Sequence, residues 1–277
     1  MKVRSKDEEA VFDIRTALFL AAVCEQTYVQ FNSRDGMFFI PAGYRAVGTI
    51  KAQAYESKPE YFGFLIESEH SAILAFRGTR STMDWVSDFI SQQIKCKPVK
   101  PPSLTHKGFT DIYMSCRDTV LALVRNVSPD KKLYITGHSL GGALATLAAL
   151  DTAFNDKREP TVYTFGAPRV GDPKFSRIYN RTIKHHWRVQ NEFDIVPLLP
   201  PLVYRQPKTR KLFYYMHVKT EIKRSFRMGS VSGNHVLSSY FANLSKDDPA
   251  FAAALCEGPL GWCPSPPPRP TEPDGLS

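Results

Sequence analysis

The chain is short of acid: 27 Asp and Glu stand against 36 Lys and Arg, a formal net charge of +9 over 277 residues. Such an imbalance bears on solubility and on anionic partners and says nothing about fold. Nucleic acid, anionic lipid surfaces and acidic substrates are all compatible with it. Long hydrophobic runs are missing as well, since none reaches the roughly 18 residues that a membrane-spanning helix needs. The nearest candidate, Ala17 to Cys24, has the length of a signal-peptide middle. It follows Asp7, Glu8, Glu9 and Asp13, however, where an export signal has a basic, acid-free start. Export is therefore not expected, and a cytoplasmic or peripheral location is preferred over secretion. Cysteine is sparse, with five scattered residues. No C-x-x-C pair occurs, which argues against a structural zinc site. Cys256 and Cys263 could bridge a short loop, but reduced thiols are the preferred expectation. There is no internal repeat.

What is present is an ordinary globular composition, 43% hydrophobic and 23% charged, able to bury a large core without disulfide or metal. Val11, Ile14, Leu18, Ala22 and Val29 recur at near-helical spacing and predict an amphipathic first helix packed on a core. The runs 61–67 and 72–76 read as buried strands. Residues 91–102, rich in polar residues, Lys and Pro, predict a surface loop. A helix over 108–127 ends before Ser128-Pro129. Strand 133–136, helix 142–154, strand 161–165, helix 173–182 and strand 187–190 follow. Such alternation predicts an α/β fold with a mostly parallel sheet covered by helices on both faces. Residues 1–256 are expected to form one domain. Residues 257–277, with seven prolines and few apolar partners, are expected to be a disordered tail, the rival being a proline-rich docking segment.

The chemistry centres on Gly137-His138-Ser139-Leu140-Gly141. G-x-S-x-G alone is a weak signal, but here an apolar strand precedes it and a small-residue helix follows. That is the context in which a tight turn presents a serine above a sheet, with a helix N-terminus beneath it. A serine hydroxyl becomes a useful nucleophile only when a base takes its proton and a carboxylate orients that base. In this topology the acid precedes the histidine in sequence, and both follow the serine. Asp194, just past the strand ending at Gln190, is the expected acid; Asp172 is placed to cap the next helix instead. Two histidines follow Asp194. His217 lies in a β-like run, 212–220, on the face of Tyr215 and Lys219, and reads as solvated or cross-strand. His235 follows a flexible polar loop, 229–234, and is the expected base. The tetrahedral oxyanion needs two donors: the backbone N–H of Leu140, and Thr79 from the turn Arg77-Gly78-Thr79 after the strand 72–76. The basic and aromatic stretch 205–227 reads as a strand with a solvated side rather than a nucleic-acid face, because it matches no nucleic-acid motif.

These motifs occur in a recognisable order. Phe76-Arg77-Gly78-Thr79, Asp84-Trp85, the run from Gly137 to Ala145, the run from Phe165 to Gly171 and the segment from Arg188 to Pro201 together resemble the class 3 lipases. The resemblance covers roughly residues 15 to 245. It implies an α/β-hydrolase fold with Ser139 as nucleophile, Asp194 as acid, His235 as base, and Thr79 with Leu140 as oxyanion hole. It further implies a short helical lid over about residues 81–89, containing Trp85, which would cover an apolar acyl groove and open at a lipid–water interface; an ordinary core anchor is the equal reading of Trp85. The implied activity is that of a triacylglycerol lipase or carboxylic-ester hydrolase without cofactor or metal. A phospholipase A1 and a feruloyl-type esterase are the rivals on the same triad, and a non-catalytic lipid-binding protein is the rival outside enzymes. The chain departs from the secreted members in its missing export signal and regular disulfides. It departs also in the basic segment between Asp194 and His235, which points to anionic lipid at the working interface.

Overall fold

Among the residues that the computed structural model describes (11–54, 58–79, 92–207 and 209–266) eleven strands are formed. In chain order they are β1 (Arg45–Ala52), β2 (Glu60–Glu67), β3 (Ser71–Phe76), β4 (Gln93–Lys95), β5 (Leu104–His106), β6 (Lys132–His138), β7 (Thr161–Phe165), β8 (His185–Asn191), β9 (Val203–Arg205), β10 (Leu212–Tyr214) and β11 (Glu221–Arg224). Seven of them make one sheet in the order β1-β2-β3-β6-β7-β8-β11. The pairs β1–β2 and β2–β3 are antiparallel, and every later pair is parallel. The helices are α1 (Ile14–Asn32), α2 (Lys107–Arg125), α3 (Leu140–Asn155), α4 (Pro173–Thr182), α5 (Val231–His235), α6 (Leu237–Leu244) and α7 (Pro249–Leu255).

The apolar runs at β3, β6 and β7 are explained by burial on both sides. On one face Phe109, Val120, Leu144, Phe175 and Tyr179, from α2, α3 and α4, close over the sheet. On the other, Leu18, Ala21, Leu237, Tyr240 and Ala252, from α1, α6 and α7, do the same. Burying a Leu or Phe side chain stabilises the fold by about 1.5–3 kcal/mol. Helix α3 is buried over thirteen of its residues, which is why its sequence is almost pure Ala, Leu, Gly and Thr. Helix α4 begins as its sequence predicts, with the Asp172 carboxylate accepting from the Phe175 N–H at 2.6 Å and Pro173 in the first turn.

Several expectations are corrected. The loop expected over 91–102 contains β4, which pairs with β5 as a small antiparallel ladder; so short a strand carries no alternation to reveal it. Strand β1, at the sheet edge, falls in a segment whose pattern is too mixed to read, because a bulge breaks its register. His217 does not lie in a strand: β10 ends at Tyr214, and the His217 Nε2 is 2.7 Å from the Pro197 carbonyl. His235 closes a short helix, α5, rather than a flexible loop. Cys256 and Cys263 are joined as a disulfide, not held as thiols. Part of the segment expected as a tail, residues 257–266, is described and packs on α1. Trp262 is buried against Phe19, and the Gln26 amide donates to the carbonyls of Gly261 and Trp262. The expected lid, with Trp85, lies outside the described residues.

Candidate active site

The C-terminal ends of β3, β6, β7 and β8 meet at one edge of the sheet, where ligands gather in parallel α/β folds. Ser139 sits there, between β6 and α3, with φ 57° and ψ −128°. For a residue other than glycine this conformation costs about 1–3 kcal/mol and persists only when the surroundings impose it. They do so through two backbone bonds, Ser139 N–H to the Phe165 carbonyl and Gly142 N–H to the Ser139 carbonyl, both 2.9 Å. The strand and helix come so close that a Cβ on Gly137 would lie 2.2 Å from the Gly141 carbonyl oxygen, so only glycine fits. Leu140 opens α3, and the first N–H groups of a helix have no intrahelical acceptor.

Asp194 follows β8, and His235 ends α5, 41 residues later in the chain. The structure brings them together: His235 Nδ1 lies 2.6 Å from Asp194 Oδ2, and both side chains are fully buried. An ionised carboxylate only accepts, so Nδ1 carries the proton and Nε2 presents its lone pair. Neither His235 Nε2 nor Ser139 Oγ has a hydrogen-bond partner among the described residues, although both atoms are buried. The two residues are neighbours through His138: its ring centroid is 4.7 Å from that of His235, and its Nε2 is 2.8 Å from the His235 carbonyl. The serine–histidine hydrogen bond itself is not formed. Such bonds are often long without substrate and tighten when it binds.

With this geometry in hand, comparison with known proteins is informative. The family described as Lipase (class 3) matches residues 73–204. A lipase of Rhizomucor miehei is 37% identical over 145 residues, covering 50% of this chain and 40% of that enzyme. Phospholipase A1-II 7 of Oryza sativa subsp. indica is 31% identical over 169 residues, covering 48% and 42%. Among solved structures, the lipase from Rhizopus microsporus var. chinensis matches with a TM-score of 0.60 at 27% identity, covering 76% of this chain and 74% of that one. Over residues 73–204 the chain is similar to the class 3 lipase family. Its fold is that of the α/β-hydrolases. It spans about 40% of the length of these two sequence relatives.

Around the core of this site lie residues that sequence reasoning missed. The Tyr240 hydroxyl donates to Asp194 Oδ2 at 2.7 Å and accepts from the Asn191 N–H at 3.0 Å. Asp194 Oδ1 accepts from the Val196 N–H at 2.9 Å, so three donors hold the carboxylate. Burial, followed by the nearby Asp194 charge, pushes the Tyr240 hydroxyl well above its usual value and keeps it a donor.

A second set supports the serine's other side. Burial, with the neighbouring His235, lowers His138 to about 3, so its ring is neutral. Its Nε2–H then donates to the His235 carbonyl, and Nδ1 accepts from the Tyr28 hydroxyl at 2.7 Å. Tyr28 in turn accepts from the Gly78 N–H at 3.0 Å. Arg77, stacked between Phe31 and Phe62 and paired with Glu60, donates through Nη1 to the Gly78 carbonyl at 2.7 Å. Because a peptide unit is planar, fixing that carbonyl also fixes the direction of the Thr79 N–H. Gly78 lies so near the elbow that a Cβ on it would be 3.0 Å from Ser139 Cβ. Thr79 is thus on a turn held beside the serine, where the sequence placed the second oxyanion donor. The only hint of Tyr28 or Arg77 in the sequence was the position of Arg77 in the Arg-Gly-Thr turn.

Proposed function

We propose that this chain is a serine carboxylic-ester hydrolase that cleaves acylglycerol esters through an acyl-enzyme. One observation carries the reading: a buried His235–Asp194 pair beside a serine held in a strained elbow, with the serine oxygen and the outward imidazole nitrogen both unpartnered among the described residues. Ser139 Oγ attacks the ester carbonyl while its proton passes to His235 Nε2. Asp194 steadies the imidazolium and its tautomer. The negative charge on the former carbonyl oxygen is taken by the N–H groups of Leu140 and Thr79. Collapse of this intermediate breaks the bond to the alcohol, which leaves with the proton from Nε2. Water, deprotonated by the same nitrogen, then attacks the acyl-serine and releases the carboxylic acid, returning the proton to Oγ. Every step uses groups of the chain and water alone.

The likeness to the Rhizomucor miehei lipase supports acylglycerols as substrate. A phospholipase A1 activity is the second reading, favoured by the rice relative of that name and by the basic segment after Asp194, which suits an anionic lipid surface. Rates on emulsified triolein, phosphatidylcholine vesicles and a short-chain nitrophenyl ester separate these from a feruloyl-type esterase. A sharp rise above the solubility limit of the substrate supports the lipase. A phospholipid rate exceeding the triolein rate supports the second reading. Absence of Ser139 labelling by a fluorophosphonate leaves only a non-catalytic lipid-binding protein.

A further inference from the structure

The hairpin β9–β10 stands apart from the main sheet and takes no part in the chemistry above. Its register pairs Val203 with Tyr214 and Arg205 with Leu212. Partners across a ladder share a face, and these four face outward while Phe213 points inward. Val203, Leu212 and Tyr214, with Leu198 and Leu202 on the approach and Met216 on the exit, are each between 44% and 58% exposed. Single exposed apolar residues need no explanation, but a run of them on one hairpin marks a surface that meets something apolar.

Charge says what that something is. Residues 195–220 carry Arg205, Lys208, Arg210, Lys211 and Lys219 and no Asp or Glu. Five positive charges against none acidic is more than half of the chain's net +9. Arg205, Arg210 and Lys211 sit on or beside the turn that joins the two strands. A neutral oil surface would satisfy the apolar side chains alone, and a nucleic acid the cations alone. A bilayer of anionic phospholipid satisfies both, with apolar groups at the headgroup boundary and cations on the phosphates.

The hairpin also lies on the edge of the fold that bears Ser139. It continues from the Asp194 loop, Met216 just beyond β10 bridges Gly171 in the loop after β7, and the Tyr215 hydroxyl donates to the Gln92 carbonyl. We infer that this hairpin is a docking surface for anionic phospholipid membranes, seating the chain with its catalytic edge at the bilayer. The inference rests on the reading of the chain as a lipid-ester hydrolase, and adds the face that meets the lipid.

The test is vesicle co-sedimentation of the full chain carrying Ser139→Ala, which leaves the lipid uncleaved. Vesicles of phosphatidylcholine alone are compared with mixed phosphatidylcholine and phosphatidylserine. The parent should bind the mixed vesicles far more tightly. Adding Arg205→Gln, Arg210→Gln and Lys211→Gln should weaken that binding about a hundredfold. Adding Val203→Ser and Tyr214→Ser should weaken it about tenfold. The same hairpin substitutions, in protein that keeps Ser139, should leave hydrolysis of a soluble nitrophenyl ester unchanged. Equal binding to both vesicle types, variants that bind like the parent, tighter binding of the parent to duplex nucleic acid, or loss of soluble-ester hydrolysis in the hairpin variants would each overturn the inference. If the parent lacks ester hydrolysis while the vesicle results hold, the catalytic reading fails and the docking surface stands.

Discussion

Tyr240 donates its hydroxyl proton to Oδ2 of Asp194, the same oxygen that His235 Nδ1 faces. Two donors on one carboxylate oxygen leave the acid little freedom to rotate, and the Val196 N–H on the other oxygen removes what remains. Tyr240→Phe keeps the ring packing and deletes one donor. A hydrogen bond to a charged group contributes about 1.5–3 kcal/mol. The kcat for a soluble ester should therefore fall about ten- to a hundredfold with KM nearly unchanged, as stopped assays over a substrate series will show. A rise in KM alone would mean that Tyr240 shapes the substrate site and does not hold the acid.

The choice of base is open to a ranking experiment. His235→Ala should lower kcat/KM by several orders of magnitude, because no other imidazole faces Asp194 among the described residues. His217→Ala should change it little, since among the described residues His217 hydrogen-bonds with the Pro197 carbonyl and the Gln190 amide. Asp194→Asn should leave a folded enzyme slowed by about 10⁴, by analogy with the serine-protease triad. The reverse order for the two histidines would mean that the base is misassigned.

Tyr28 couples the two sides of the serine, accepting from Gly78 and donating to His138. Tyr28→Phe strands the Gly78 N–H and the His138 Nδ1 and frees the turn that carries Thr79. Losing one oxyanion donor outright costs about 3 kcal/mol, so a loosened one should cost less, about a tenfold fall in kcat. Its signature is a weakened response to a transition-state-like phosphonate with substrate KM unaffected. Equal losses in both would point to general unfolding of the pocket.

Acid should unfold the protein earlier than its carboxylates alone would require. Burial lowers His138 to about 3 and holds His186 and His217 well below the usual histidine value. In the unfolded chain all three take up protons near pH 6.5, where the folded state does not. Unfolding therefore binds protons as pH falls from about 6.5 toward 3, and stability is lost over that window. Up to three protons correspond to a slope of roughly 4 kcal/mol per pH unit. Glu25 opposes part of this, because burial raises its carboxyl and it protonates first in the folded state. Urea melts at several pH values measure the slope; a flat profile between pH 6 and 4 would contradict the buried neutral state of these rings.

Much of the site is legible in the sequence because its logic is local. Gly137, Ser139 and Gly141 lie within a span of five residues, between an apolar strand and a small-residue helix, and each feature constrains the others. Asp194 is legible from its place after a strand, and Asp172 is set aside by the cap it forms. Tyr240, Tyr28 and Arg77 are not legible, since their roles lie in hydrogen bonds to residues 46, 50 and 17 positions away or in a single buried turn. Neither spacing nor composition carries such contacts. The short strand β4 and the Cys256–Cys263 bridge escape for the same reason: three residues show no period, and pairing of thiols depends on how the chain folds back on α1.

One measurement bears most directly on the whole account: intact and peptide mass spectrometry after treatment with a fluorophosphonate. The account predicts one adduct per chain, on Ser139, absent in Ser139→Ala and formed at least a hundredfold more slowly in His235→Ala. An adduct on any other residue, or labelling of Ser139 at the same rate without the imidazole, would contradict it.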